Sequence, residues 1–390
     1  MITDHNRGWY LFKKSFDLFP YRTGAPPVLA AKAISPFYAR LFEQAGPLRR
    51  MQYRINGPLL KFWFRYREGV VAKKHNIPAA EMAEAAKIAR AHCIDPNEVL
   101  INHIDETRAA AYIRRFEEAT ISRRIAPQYW ADDCVLQDKI QFSNCCHEAG
   151  LPHPDLLAFA RDGEITVNAP PKGDRIFVKP AGGTGGVGAQ IIDMTGVSDL
   201  AALKAKLEAA AGTNVDWLAQ DLLTTHPALK DIALNALSTM RIVTLLNEEG
   251  APELVAASYK CATSTEAIVD NAASAGFRIG VDPATGVLRK GAAKKDPHEY
   301  AVNPANGAQI EGVQLPFFEE AKAVALAAHG TAAFAVYPYA GWDVAITADG
   351  PILIEGNPKA TMTSAQRPGL MVMAPERFVG LIGMHLDRVS

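Results

Sequence analysis

The residues best suited to chemistry in this chain lie in two short stretches. The first is Val178-Lys179-Pro180-Ala181-Gly182-Gly183-Thr184-Gly185-Gly186-Val187-Gly188. Five glycines in seven residues, between two strand-like runs, make a hairpin whose backbone N–H groups can reach a polyphosphate. Lys179, just before them, can bring a point charge to the same phosphates. No Gly-Lys-[Ser/Thr] follows and a strand rather than a helix comes next, so this is neither a Walker A loop nor a dinucleotide-binding turn. A plain Gly-rich hairpin is the competing reading. The second stretch holds Asp343, Glu355 and Asn357. Glu355 and Asn357 are two apart, so on a strand they share a face. The Asp349-Gly350 turn signal brings Asp343 back roughly opposite them. Two carboxylates and an amide oxygen match the hard oxygen ligands of Mg²⁺, which also takes phosphate oxygens. The competing reading is a solvated strand end, but Ile352, Leu353 and Ile354 make the strand buried, where a lone carboxylate is costly.

Elements must position these groups. DRIFVKP (174–180) reads as a strand leading into the glycines, and QIIDM as the strand after them. Gln137 to Ala149 reads as a helix ending at Gly150, followed by a turn into the strand LLAFA. Val197 to Ala211 reads as a helix and Asp216 to Leu223 as a strand. Met240 to Leu246 and Glu253 to Cys261 pair around the NEEGAP turn. Pro316 to Gly330 is a helix, and the GWDVAITADG and PILIEGN hairpin closes the pattern. This predicts an α+β arrangement on a mostly antiparallel frame from residue 131 onward. Residues 1–130 read as mainly helical, with Asn76–Cys93 and Asp105–Ile125 as helices. Six prolines between positions 20 and 58 predict short helices in the first 75 residues.

The whole chain holds 41 Lys/Arg against 42 Asp/Glu, is 48% hydrophobic and contains no apolar run long enough for a transmembrane helix. Its near-neutral charge hides an asymmetry. Residues 1–75 carry 14 Lys/Arg against 4 Asp/Glu and 14 of the 32 aromatic residues, so the remainder is strongly acidic. A basic, aromatic segment suggests a packed helical domain with a positive face, a membrane-surface or nucleic-acid contact, or a site for an acidic substrate. The first residues lack the apolar stretch of a signal peptide, and five cysteines without a C-x-x-C suggest reduced thiols rather than disulfides or zinc. A cytoplasmic protein is expected. Cys145, Cys146 and His147 sit on a helix with an apolar face and read as core.

A lysine strand, a Gly hairpin, a later strand and an acidic D…E-x-N hairpin, in that order over residues 131–390, resemble the ATP-grasp superfamily. The wording ST-x-RIVTLL and WDVAITADGPILIEGN is similar to its sugar-transfer-associated branch, related to α-L-glutamate-ligase-like enzymes. The resemblance implies two α+β subdomains gripping ATP, one spanning 131–219 and the other 220–390. It implies that Lys139 and Lys179 hold the phosphates and that Gly183, Thr184, Gly185 and Gly186 cover them. Gln220, Asp221 and Leu222 match the hinge that reads adenine, with Gln220 or Asp221 standing where a glutamate is usual. Arg241 resembles the arginine at the γ-phosphate or acyl-phosphate intermediate, and Asp343, Glu355 and Asn357 resemble the Mg²⁺ (or Mn²⁺) ligands. His226 is placed to touch ribose or substrate, or to cap its loop. Asp270-Asn271 with Gly276 matches a segment near the substrate, where Asn271 would orient the acceptor; a turn is the alternative. Lys260 sits where a basic residue is frequent and could bind a carboxylate, against a solvated strand lysine, and Lys359 is within reach of phosphate.

The implied activity is an ATP-dependent carboxylate–amine ligase, forming an amide through an acyl phosphate on small sugar- or amino-acid-derived substrates. The absence of a Ser-His-Asp or Cys-His set agrees with chemistry that rests on positioning and charge neutralisation. A kinase of a small hydroxyl compound and a nucleotide-binding regulator without turnover are the alternatives. Nucleic acid is then not an expected partner. The basic segment becomes part of the helical domain, with its positive face open to an anionic substrate, to the inner membrane surface, or to neither.

Overall fold

The computed structural model describes residues 32–131, 133–183, 186–234, 236–262, 277–293, 296–358 and 360–389. Thr184, Gly185, Asp270, Asn271, Gly276 and Lys359 therefore lie outside the described residues. The chain divides into two compact units: Met1–Pro127 with Lys295–Pro297 and Thr361–Ser390, and Gln128–Lys294 with His298–Ala360.

The first unit is helical among the described residues. Ser35–Gln44 is followed by Pro47–His75, a single helix of 29 residues. This overturns the expectation of short helices. Pro47 begins the helix, where its missing N–H is no loss, and Pro58 is carried inside it. Ala79–His92 buries Met82, Ala85, Ala86, Ile88 and Ala89 in a cluster with Val71, Ile94 and Val99. The helix expected over Asp105–Ile125 is two pieces, Glu106–Ala109 and Arg115–Ile125. A second capping arrangement interrupts it: the Arg114 N–H donates to Glu117 Oε2 at 2.8 Å, starting a new helix there. Pro375–Arg388 closes this unit, packing on Ser35–Gln44 and Arg115–Ile125.

The second unit carries two antiparallel sheets, as the α+β reading requires. In the first sheet the order is β2-β1-β5-β3-β4, with β1 Leu156–Arg161, β2 Glu164–Val167, β3 Arg175–Pro180, β4 Gln190–Asp193 and β5 Trp217–Asp221. The helix Leu200–Ala211 is started by Asp199, which accepts from the Ala202 N–H, and lays Leu203 and Leu207 against Ile176, Val178 and Ala219. The alternation of β3 then turns Lys179 to the other face, where Ile140, Leu156, Ala181 and Leu218 cluster. In the second sheet the order is β11-β10-β6-β7-β8-β9, with β6 Thr239–Leu246, β7 Pro252–Cys261, β8 Phe277–Val281, β9 Leu288–Ala293, β10 Tyr339–Thr347 and β11 Gly350–Asn357. The helix Phe318–His329 covers one face with Ala321, Ala325 and Ala328. Trp342 points to that side, its indole N–H donating to Thr244 Oγ1 at 2.8 Å and its ring 5.5 Å from Phe334. Its neighbour Asp343 therefore points to the opposite face.

Candidate functional site

The β10–β11 hairpin owes its chemistry to one extra residue. From the turn, Thr347 pairs with Gly350 and Val344 with Leu353, and simple continuation would set Asp343 against Ile354. A bulge between Asp343 and Val344 instead sets Asp343 opposite Glu355, with Gly341 opposite Asn357. The two carboxylates stand side by side on one face. Gly356 between Glu355 and Asn357 faces the core, where an added Cβ would come within 2.5 Å of Leu136 and 3.0 Å of Trp342. Asn357 Nδ2 donates to Glu355 Oε1 at 3.3 Å.

The same row runs on through the sheet: Asp343 pairs with Arg241 on β6, and Arg241 with Ser258 on β7. Arg241 grips both carboxylate oxygens of Asp343, Nε to Oδ1 at 2.6 Å and Nη2 to Oδ2 at 2.8 Å, and Lys260 Nζ stands 3.2 Å from Oδ1. Burial alone would raise the Asp343 pKa, but Arg241 and Lys260 outweigh it and hold the carboxyl far below the usual range. Gly341 leaves the room the guanidinium needs, since a Cβ there would lie 3.3 Å from Arg241 Nη1. Opposite Lys260 on β8 is Arg278, a residue no motif announced. Its Nε is buried and has no hydrogen-bond partner among the described residues. Burial, then the charge of Arg241, pull its pKa down to about 10.

Two lysines come from the first sheet's side. Lys179 is buried and its pKa falls to about 8, chiefly through desolvation, with Glu355 and Asp343 opposing the shift and Lys139 adding to it. Lys139 opens the helix Lys139–Glu148, whose start is fixed by Asp138 accepting from the Ile140 and Gln141 N–H groups. Its Nζ donates to the Gly183 carbonyl at 2.9 Å. Burial lowers its pKa too, against the pull of Glu355. Gly183 (φ +84°) and Gly186 (φ +70°) adopt the left-handed backbone that favours glycine.

The hinge is built differently from its motif. Gln220 is buried, and its Nε2 donates to His153 Nε2 at 3.2 Å and to the Pro154 carbonyl at 3.4 Å. Burial and then Lys179 push the His153 pKa down to about 3, so the ring is neutral. Its Nδ1 donates to the Leu353 carbonyl at 2.7 Å, which leaves Nε2 as the acceptor for Gln220. Asp221 Oδ1 accepts from the Lys172 N–H at 2.9 Å, and Leu222 follows at the strand's end. His226 Nδ1 accepts from the Ala228 N–H at 3.1 Å, and its own N–H donates to the Ile346 carbonyl. The structure thus gives His226 the loop-capping geometry.

Lys139, Lys179, Arg241, Lys260, Asp343, Glu355 and Asn357 are brought together. Gln220, Asp221, Leu222 and His226 lie along the end of β5, the central strand of the first sheet, and the loop after it. The donors at Asp343, Glu355 and Asn357 suit a hard cation in kind, being all oxygen, although Arg241 engages both oxygens of Asp343. No group of three or more His, Cys, Asp or Glu side chains placed to hold a metal occurs among the described residues. Of Cys145, Cys146 and His147 only Cys146 is core, its thiol pushed up to about 12 by desolvation; Cys145 is half-buried and His147 exposed, because they turn away from the helix's apolar face.

A family model described as sugar-transfer-associated ATP-grasp matches residues 122–376. Among solved structures, the D-alanine–D-alanine ligase of Bacillus anthracis is 15% identical, with 65% of this chain and 67% of that one covered and a TM-score of 0.34. The L-amino acid ligase of Bacillus licheniformis is 13% identical, covering 60% of this chain and 42% of that one at a TM-score of 0.34. A D-cycloserine synthetase is 12% identical, covering 75% and 82% at a TM-score of 0.38. The chain thus spans two thirds of the first of these and less than half of the second. No curated protein matches it.

Proposed function

Because this chain belongs to the sugar-transfer-associated ATP-grasp family, we propose that it is an ATP-dependent ligase joining a small carboxylate to an amine. Its α+β fold is the ATP-grasp fold, with helices preceding the sheets. The observation that carries the reading is the clustering of Lys139, Lys179, Arg241 and Lys260 around Asp343 and Glu355. Cations and carboxylates on facing elements suit a triphosphate together with the divalent ion that accompanies it.

In this reading a substrate carboxylate oxygen attacks the γ-phosphorus of ATP. An O–P bond forms, the β–γ bridge breaks and ADP leaves. The amine nitrogen then attacks the acyl carbon, phosphate departs, and the nitrogen loses a proton to give the amide. Lys139 and Lys179 hold the phosphate oxygens, under the loop of Gly183, Thr184, Gly185 and Gly186. Lys139 exchanges the Gly183 carbonyl for phosphate. Arg241 stabilises the charge of the transferred group. Asp343 and Arg241 neutralise each other until anionic phosphate competes for the guanidinium and frees the carboxylate. Asp343, Glu355 and Asn357 would hold Mg²⁺ or Mn²⁺, whose contribution is to neutralise phosphate charge. The Gln220–Leu222 stretch takes the adenine, with His226 bounding it. Lys260 and Arg278 receive the anionic end of the acceptor, which Asn271 would orient.

The family's description points to sugar-linked acceptors, and amino-acid-derived ones use the same chemistry. Mass spectrometry after incubation with ATP, Mg²⁺ and pooled carboxylates and amines tests the proposal. A product equal to acid plus amine minus water, with ADP and phosphate, is expected. Phosphorylation of a single acceptor would mean a kinase, and ATP binding without ADP would mean a regulator; either result excludes the ligase reading.

A further inference from the structure

The helix Pro47–His75 has two apolar sides, and only one is covered. Tyr53, Phe64 and Val71 are buried within its own unit. On another side Leu48, Met51, Ile55, Leu59, Phe62 and Tyr66 recur at spacings of three and four residues, and they are 80%, 54%, 45%, 58%, 76% and 61% exposed. Trp63 and Val70, 50% and 40% exposed, extend the same stripe. At 100° per residue the eight side chains fall within an arc of about 120° and run for about 33 Å. Single exposed apolar residues are ordinary on a protein surface, but a continuous aromatic and aliphatic stripe of this length is not.

The flanks of the stripe are basic. Arg65 and Arg54 line one edge, about 100° and 120° from its centre by helical periodicity, and Arg49, Arg67 and Lys74 the other, about 80° to 100° away, with Arg67 paired to Asp95. Glu68, the one carboxylate in the helix, is paired with Arg90. Lys61, Arg65, Lys73 and Lys74 make no ion pair among the described residues. No helix among the described residues is long and apolar enough to cross a membrane. With eight Lys/Arg in 29 residues this one can only lie along an interface, apolar stripe inward and cations at headgroup depth.

We infer that the Pro47–His75 helix docks this protein onto the surface of an anionic lipid bilayer. Phe62, Trp63 and Tyr66 enter the headgroup boundary, and the flanking lysines and arginines meet the lipid phosphates. Charge complementarity chooses this occupant. A second copy of the chain would set one basic flank against another, and a nucleic acid would leave the apolar stripe uncovered. The inference does not depend on the reading of the nucleotide site.

Flotation of the full-length protein with phosphatidylcholine vesicles, with and without phosphatidylglycerol, tests it. Binding about tenfold or more stronger to the anionic vesicles is expected, falling as salt is raised. Phe62→Ser/Trp63→Ser and, separately, Arg65→Glu/Lys74→Glu should each weaken binding about tenfold or more while leaving the melting temperature unchanged. Equal partition into neutral vesicles, no partition, or full binding by the charge-reversal variant overturns the proposal. So does a lowered melting temperature in Phe62→Ser/Trp63→Ser, which would mean that the stripe is already covered within the chain. Sedimentation showing a dimer that the same variant dissolves, without vesicle binding, assigns the stripe to self-association instead.

Discussion

The two units bury charge in opposite ways. In the helical unit Arg114, Glu98 and Glu118 are each met by several hydrogen-bond partners. Arg114 donates to Glu117 at 3.0 Å and to the His92 carbonyl at 2.8 Å. Glu98 accepts from the Tyr112 hydroxyl and the Arg115 N–H, and Asn102 in turn donates to that hydroxyl. Glu118 accepts from the Met362 N–H and the Thr363 hydroxyl. In the sheet unit, Lys139, Lys179, Arg241, Lys260 and Arg278 gather near Asp343 and Glu355, and Arg278 Nε has no hydrogen-bond partner among the described residues. Stranding a buried charge is costly, so a fold that saturates one group and leaves another short is treating them differently. The well-partnered groups hold helices together, Glu98 among them as a protonated carboxyl. The cations of the sheet unit stand where the proposed function places the phosphates.

The sharpest break of this contrast comes from paired substitutions. Lys179→Ala should lower ATP turnover by about 10³-fold or more, as loss of a phosphate-stabilising cation does, while urea unfolding stays near wild type. Undiminished ADP release would remove Lys179 from the site. Arg114→Ala should do the reverse. It leaves Glu117 buried without its cation, costing about 3–5 kcal/mol in urea unfolding, while the folded fraction binds ATP normally by calorimetry.

A smaller effect sharpens the helical side. Burial raises the Glu98 pKa from about 4.5 to about 8, only partly offset by its hydrogen bonds. The folded state therefore keeps a proton that the unfolded state releases between those values. Stability from this group is full below pH 4.5 and is lost as pH rises through 8, by about 1 kcal/mol per unit at most. Glu98→Gln should flatten that slope in urea titrations between pH 6 and 8, in about that proportion; identical slopes would remove the group from the account. Smallest of all, His226→Ala should cost about 1 kcal/mol, the worth of a cap. Calorimetry should find its ATP affinity close to wild type.

Much of the second unit was legible because its signals are local. Runs of β-branched and aromatic residues, Ile176-Phe177-Val178 and Ile242-Val243-Thr244, reveal β3 and β6, and Asp349-Gly350 marks the hairpin of β10 and β11. The bulge that sets Glu355 against Asp343 has no such signal, since Ile354 looks like its neighbours. Nor does the Arg241–Asp343 pair, which joins residues 102 positions apart through sheet register. Arg278 went unread because FRIGV carries one charge and no motif. In the helical unit proline reads as a breaker, which is why the sequence predicts short helices. Yet at the first position of a helix it costs nothing, and at Pro58 the surrounding turns carry it. The helix Pro375–Arg388 lies past the last motif, where the sequence carries no chemical signal.

The His153–Gln220 contact carries a consequence for nucleobase choice. Both N–H bonds of the Gln220 amide are committed, one to a neutral imidazole and one to the Pro154 carbonyl. What the side chain has left to offer is its carbonyl oxygen, an acceptor like the glutamate usual at that place. Beside such a group the exocyclic amine of adenine finds a partner, whereas the keto oxygen of guanine meets another lone pair. With adenine at Gln220 as proposed, the His153 contact would favour ATP over GTP by holding the glutamine to one of its two faces.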